Sequence, residues 1–272
     1  MNGYFRLPHF SGLRIDGPGA RQFCQSQLTA DLANLASDRW QTAAWCDNKG
    51  RCLMIILAGV DEEAVELILP ANQSALVDKL KMYAIGHSVK FAPLSSVVGR
   101  FANDEQARSL SGPEPRALKL ANADVDAAAE ADQLLRWQAL DMAASLPWLQ
   151  PETAGRHLPQ FLGLEENLGL SYRKGCYPGQ EVIARVHYLG SVKYKLLGFV
   201  GEPPCRPVIA PGSDLYDATD APVAEVLDCL LIDDQVRGLA VCKTRIEAGT
   251  ILRCEEGAEA ESVRMVLPSG LC

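Results

Sequence analysis

The chain has 272 residues, 48% hydrophobic and 22% charged, which excludes a disordered, collagen-like or coiled-coil chain and fits an ordinary folded protein. That length accommodates about two domains and a core that needs no covalent staples. With 26 basic and 34 acidic residues the net charge is −8, which excludes a uniformly basic nucleic-acid clamp, because phosphate contacts need clustered Lys and Arg.

Met1–Phe10 holds Arg6 but no apolar stretch of the kind a secretory signal needs. The longest unbroken apolar run, Leu53–Ala58, is far short of the roughly 20 residues that cross a bilayer. A cytoplasmic protein is therefore expected, with no membrane partner. Nine cysteines are an odd number, and no C-x-x-C pair occurs among them, so reduced thiols are expected rather than a disulfide framework or a zinc site. His9, His87, His157 and His187 are scattered and show no metal-ligand spacing.

Leu13–Ile15 reads as a short strand closed by Asp16-Gly17-Pro18-Gly19, followed by a helix through Phe23 and Leu28. Trp40–Trp45 and Cys52–Leu57 flank Asp47-Asn48-Lys49-Gly50, which predicts a hairpin with Gly50 free to take φ > 0. Val65–Leu69 is the next strand. Pro70 ends it, and Asn72 or Ser74 caps a helix whose apolar stripe is Leu76, Val77, Leu80 and Tyr83. Val89–Pro93 returns to strand. This alternation, partly through hairpins, predicts an α+β fold. Residues 102–132 are polar, Ala-rich and broken by Gly112-Pro113-Glu114-Pro115, and read as a surface segment. The α/β pattern resumes at Leu134–Leu140, and Trp137 and Trp148 are expected in the core. Leu196–Val200, Val223–Val226, Leu230–Ile232, Leu239–Cys242 and Thr250–Arg253 fit a small β-barrel or sandwich, with Pro203, Pro204 and Pro207 marking the connection to it. Residues 207–236 hold seven acids and no base, so that part is no nucleic-acid binder.

The most informative run is Arg173-Lys174-Gly175-Cys176-Tyr177-Pro178-Gly179-Gln180-Glu181. Two glycines and a proline force a tight backbone path, and Pro178 pushes Tyr177 to extended backbone. Gln180–Tyr188 then reads as a helix with Val182, Ile183 and Val186 on its apolar face and Gly190 at its C-terminal end. Cys176 is thereby placed just before a helix N-terminus, where the dipole and the charge of Lys174 favour a thiolate. Against this stands a purely packed thiol, with Tyr177 a packing residue, Glu181 a dipole complement and His187 a stabiliser of the helix C-terminus.

Lys174–Glu181 match K-G-C-Y-x-G-Q-E at every fixed place, and in this the chain resembles the YgfZ family, the folate-binding relatives of the glycine-cleavage T protein. Leu158-Pro159-Gln160 and Gly169–Tyr172 resemble the family's approach to the motif, and Ala184-Arg185, Tyr188-Leu189-Gly190 and Lys193 its continuation. Phe23–Asp31 is similar to F-L-Q-G-Q-L-T-N-D, with Ser26 in place of the glycine and Ala30 in place of the asparagine. Lys49-Gly50-Arg51 matches the family's K-G-R.

The resemblance implies a glycine-cleavage T-protein-like arrangement around a central folate-sized opening: an α/β subdomain over 1–95, a second over 96–195 carrying the motif, and a small β-barrel over 196–272. It implies tetrahydrofolate, or a one-carbon derivative, as cofactor. Cys176 is implied as the functional thiol, with Lys174, Tyr177, Gln180, Glu181, Arg185, Gln27 and Asp31 as folate-binding residues. The implied role is assembly or maintenance of iron–sulfur enzymes, with clients such as radical tRNA-methylthiotransferases and no direct contact with nucleic acid. The alternatives are a folate-dependent aminomethyl or one-carbon transferase and a non-catalytic folate-binding scaffold. Aminomethyl transfer is disfavoured, because Leu76 stands in the register of the T protein's catalytic acid and Asp78 lies half a helical turn away.

Overall fold

The computed structural model describes residues 3–94, 96–105, 107–121, 129–201, 209–257 and 261–271. A short strand β1 (Phe5–Arg6) is followed by β2 (Phe10–Asp16), which buries Leu13 and Ile15. The Gly17 turn leads into α1 (Ala20–Gln27), whose inner face is Ala20, Phe23 and Cys24. The hairpin forms as the sequence predicts, from β3 (Gln41–Cys46) and β4 (Cys52–Val60). β5 (Ala64–Pro70) and α2 (Ser74–Met82) come next, then β6 (Lys90–Leu94). The sheet runs β3-β4-β5-β2-β6, antiparallel throughout. β4 is almost wholly buried because the sheet is covered on both faces: one cluster gathers α1, Leu76, Val77 and Leu80, and the other gathers Cys46, Cys52, Ile55, Leu57, Trp148 and Ile183.

A second sheet is built from β7 (Ser96–Arg100), β8 (Arg108–Leu110) and β9 (Arg116–Ala121), in the order β1-β7-β9-β8. β1 lies early in the chain yet pairs here, Phe5 with Gly99 and Arg6 with Val98. Residues 102–132, read from sequence as a polar surface segment, thus contribute two strands, and Gly112-Pro113 lies in the connection between them. Their anchor is polar. Fully buried Arg116 donates through Nη1 to Asp141 Oδ1 at 2.6 Å and to the Trp137 carbonyl at 3.2 Å. Asp141, Trp137 and Leu140 belong to α3 (Ala131–Ala143), which covers this sheet and sets the Trp137 ring edge-on to Phe5. Trp137 and Trp148 are buried, as expected.

After α4 (Gln180–Leu189) come β10 (Tyr194–Gly201), β11 (Asp214–Tyr216), β12 (Pro222–Ile232), β13 (Gln235–Lys243), β14 (Ile251–Arg253) and β15 (Ser262–Val266). They close into a six-stranded barrel with its own core of Leu197, Phe199, Leu215, Val226, Ala240 and Val263. Val223–Val226 and Leu230–Ile232, expected as two strands, are one strand interrupted by a bulge between Val226 and Asp228. The Pro203, Pro204 and Pro207 connection lies outside the described residues. The barrel meets α3 through Met142, Ala143, Leu239 and Leu271, and meets the preceding segment through Arg156 and His157 on Glu225, at 3.0 and 3.3 Å. No helix among the described residues is long and apolar enough to cross a membrane.

Candidate functional site

Two turns from distant parts of the sequence form one seat. In the β3–β4 turn, Asp47 Oδ1 accepts from the Lys49 and Arg51 amides, both at 2.8 Å, and Gly50 adopts φ +76°. Gly179, also at φ +76°, is the N-cap of α4 and lies directly on it: a Cβ there would fall 2.4 Å from Gly50 Cα and 2.5 Å from the Asp47 carbonyl oxygen. The K-G-R turn and the K-G-C-Y-x-G-Q-E turn are therefore in backbone contact, with no room for a Cβ on Gly179 and with left-handed backbone at Gly50 that strains any other residue. Gln160 fixes the helix behind the seat by donating its amide to the Ile183 carbonyl at 2.8 Å. Gly190 ends α4, as expected, though in extended rather than left-handed backbone.

On this seat Cys176 stands exposed, in the turn before α4. Glu181 and Arg185 are exposed on α4, and Gln180 is half-buried in its first turn. Tyr177 points inward. It is 6% exposed, packs with Cys46, Cys52 and Ile183, and donates its hydroxyl to the Ser171 carbonyl at 3.3 Å. Burial pushes the Tyr177 hydroxyl well above its ordinary range. Lys174, expected to add charge at Cys176, is held by other partners. Its ammonium instead donates to the Leu28 and Ala30 carbonyls beyond the end of α1, and burial lowers it to about 8 against the pull of Asp31. An ammonium held by these two carbonyls draws the motif onto the loop after α1.

Asp31 is held as a turn residue, accepting from Gln25 at 2.8 Å, from the Ala33 amide at 3.1 Å and from Asn34 at 3.2 Å. The Gln25 hydrogen bond is the largest of several that hold its carboxyl below the ordinary range. Gln27 differs, since its Oε1 is buried without a hydrogen-bond partner. Leu28 next to it bridges to Trp45, whose buried indole Nε1 also has none. An unpaired amide acceptor and an unpaired indole donor on adjoining backbone suit the amino and carbonyl edge of a pterin.

A cluster that sequence reading missed lies on the far side of the motif. Glu165 Oε1 accepts from the Tyr172 hydroxyl and meets His187 Nδ1 at 2.9 Å, and the Tyr172 and His187 rings stack at 3.9 Å. Tyr172 and His187 line a cleft of about 800 Å³ with Arg39, Arg173 and Tyr188. The only hint in the sequence was the run Gly169–Tyr172. His187 is thereby paired with Glu165 rather than left to the helix terminus alone. Among the described residues no group of three or more His, Cys, Asp or Glu is placed to hold a metal ion.

The architecture of two sheets and a barrel is that of the glycine-cleavage T protein. The crystal structure of glycine cleavage system aminomethyltransferase T from Bartonella henselae matches with a TM-score of 0.72 at 15% identity, over 98% of this chain and 85% of that one. An uncharacterized protein of Haemophilus influenzae is 31% identical over 211 residues, 73% of this chain and 74% of its own length. The tRNA-modifying proteins YgfZ of Edwardsiella ictaluri and Klebsiella pneumoniae are 25% and 29% identical, over 97% and 67% of this chain and 91% and 66% of theirs. The chain belongs to the YgfZ family. No family model matches it.

Proposed function

We propose that this protein binds tetrahydrofolate or a one-carbon derivative in an opening between its three parts. Through Cys176 it supports the assembly or maintenance of iron–sulfur enzymes, among them radical enzymes that thiomethylate tRNA. The observation that carries the reading is the glycine-on-glycine seat, which holds Cys176 exposed while Lys174 ties the motif to the loop that follows Gln27. Bound tetrahydrofolate would supply a carrier for one-carbon units, and the unpaired Gln27 Oε1 and Trp45 Nε1 are the atoms offered to its pterin edge. Exposed Arg173, Arg185 and Lys193 offer charge to its anionic tail.

Aminomethyl transfer is the weaker reading. Leu76 packs against the core, and Asp78 is exposed and ion-paired with Lys81 at 3.0 Å, so the start of α2 offers no buried carboxylate. The test is calorimetric titration with tetrahydrofolate of wild type and Cys176→Ala side by side. Saturable binding in both, with loss of client-enzyme support only in the variant, is the expected result. Absence of saturable binding to the wild type overturns the folate assignment, and full client support by Cys176→Ala overturns the role of the thiol.

A further inference from the structure

Two of the free cysteines face each other across the hairpin that carries the seat. Cys46 in β3 and Cys52 in β4 are register partners, next to an irregularity between Trp45 and Cys46. The backbone of Cys52 decides what kind of pair they are. Its N–H donates to the His157 carbonyl at 2.8 Å and its carbonyl accepts from Gly155 N at 2.8 Å, so both groups point away from β3. Cys46 and Cys52 are thus a non-hydrogen-bonded pair, the kind whose Cα atoms stand about 4.5 Å apart with close side chains on one face. A disulfide bridges Cα separations of about 4.4–6.8 Å. The thiols are in contact. Burial, and then the hydrogen bond with Cys52, raise the Cys46 thiol well above its ordinary range.

What lies around the pair gives it a consequence. Tyr177, the neighbour of Cys176, packs in the same cluster, and Cys46 is close enough to act on its hydroxyl. Gly50, on which Gly179 rests, lies in the turn that the two cysteines flank. Cys52 is hydrogen-bonded to the segment whose Arg156 and His157 hold Glu225 of the barrel. We propose that Cys46 and Cys52 form a redox-active dithiol that hydrogen peroxide or another small hydroperoxide closes to a cross-strand disulfide, and that closure alters the reactivity of Cys176.

The chemistry balances with the peroxide as sole oxidant. The Cys46 sulfur attacks one peroxide oxygen; an S–O bond forms, the O–O bond breaks, and the leaving hydroxide takes the Cys46 proton as water. The Cys52 sulfur then attacks the sulfenic sulfur; the S–S bond forms, the S–O bond breaks, and hydroxide leaves with the Cys52 proton as a second water. Each sulfur gives up one electron and the peroxide accepts both. Since the thiolate is the nucleophile, a buried and raised thiol reacts slowly, and closure accelerates as pH rises.

The inference stands whether or not the chain binds a folate. Wild-type protein is treated with hydrogen peroxide, quenched with N-ethylmaleimide, digested and mapped by mass spectrometry. The expected product is a Cys46–Cys52 cross-link that dithiothreitol reverses, and in a parallel sample freed of peroxide but not quenched the iodoacetamide rate of Cys176 is shifted at least threefold. Cys46→Ala, treated identically and then reduced at its exposed thiols, shows no such shift. Oxidation of Cys176 with no Cys46–Cys52 link at any dose, or links joining other cysteines instead, overturns the dithiol. A link that leaves the Cys176 rate unmoved overturns the coupling.

Discussion

A methyl group on Gly179 would have to sit 2.4 Å from Gly50 Cα while the backbone kept φ +76°. The left-handed backbone alone costs a non-glycine residue about 1–2 kcal/mol, and the clash adds to it. Gly179→Ala is therefore expected to lose more than about 2 kcal/mol of stability by urea denaturation, since strain and steric overlap act together. Its Cys176 should also be alkylated at a changed rate, because the turn can no longer lie on the hairpin. A variant as stable as wild type would show that the two turns are not in contact. At this scale the sequence was only half informative. The motif marked out candidate residues, of which Cys176 is exposed and Tyr177 buried. It did not tell where Lys174 points, because proximity along the chain suggests Cys176, while the partners that hold the ammonium, Leu28 and Ala30, are 146 and 144 residues away. Gly50 and Gly179 likewise show their conformational need in the sequence but not that they meet.

Among elements, α3 is tied to β9 by a buried pair in which Arg116 and Asp141 are both almost fully covered. Asp141 also accepts from the Trp148 indole at 2.9 Å, so the pair locks the second sheet, the helix and the following loop together. Removing one partner leaves the other charged and buried. Arg116→Met is expected to cost about 3–5 kcal/mol, and the double variant with Asp141→Leu to recover much of it. Urea midpoints of the three proteins check this, and a single variant within about 1 kcal/mol of wild type would sink it, being in the range of an exposed pair. The same residue explains why residues 102–132 were misread. Strands β8 and β9 are short, and their firmest inward contact is an arginine, which hydropathy counts as surface. The first sheet and most of the barrel were legible because their strands are apolar and bounded by Gly, Pro and Asp. The bulge that joins Val223–Val226 to Leu230–Ile232 was not, since Asp228 inside it looks like a turn residue.

Over the whole molecule, that aspartate reports on how the barrel sits against the rest. Burial raises the Asp228 carboxyl to about 7; the hydrogen bond from the Cys229 amide lowers it, and nearby Asp141 on α3 raises it. Asp228 on the barrel and Asp141 on the body are thus like charges across the junction that Met142, Ala143, Leu239 and Leu271 fill. An unfolded aspartate titrates at about 3.9, so between that pH and about 7 the folded chain holds a proton that the unfolded chain has released. Folding binds the proton, and the stability it contributes is full below pH about 4 and lost as pH rises through about 7. Asp228→Asn cannot ionise and keeps an acceptor for the Cys229 amide. Its stability relative to wild type should therefore grow as pH rises from 4.5 to 8, then level off. Urea midpoints of both proteins across that range provide the measurement. Parallel curves would mean that Asp228 is solvated in the folded chain, and that the barrel meets α3 less closely than Leu239 and Leu271 require.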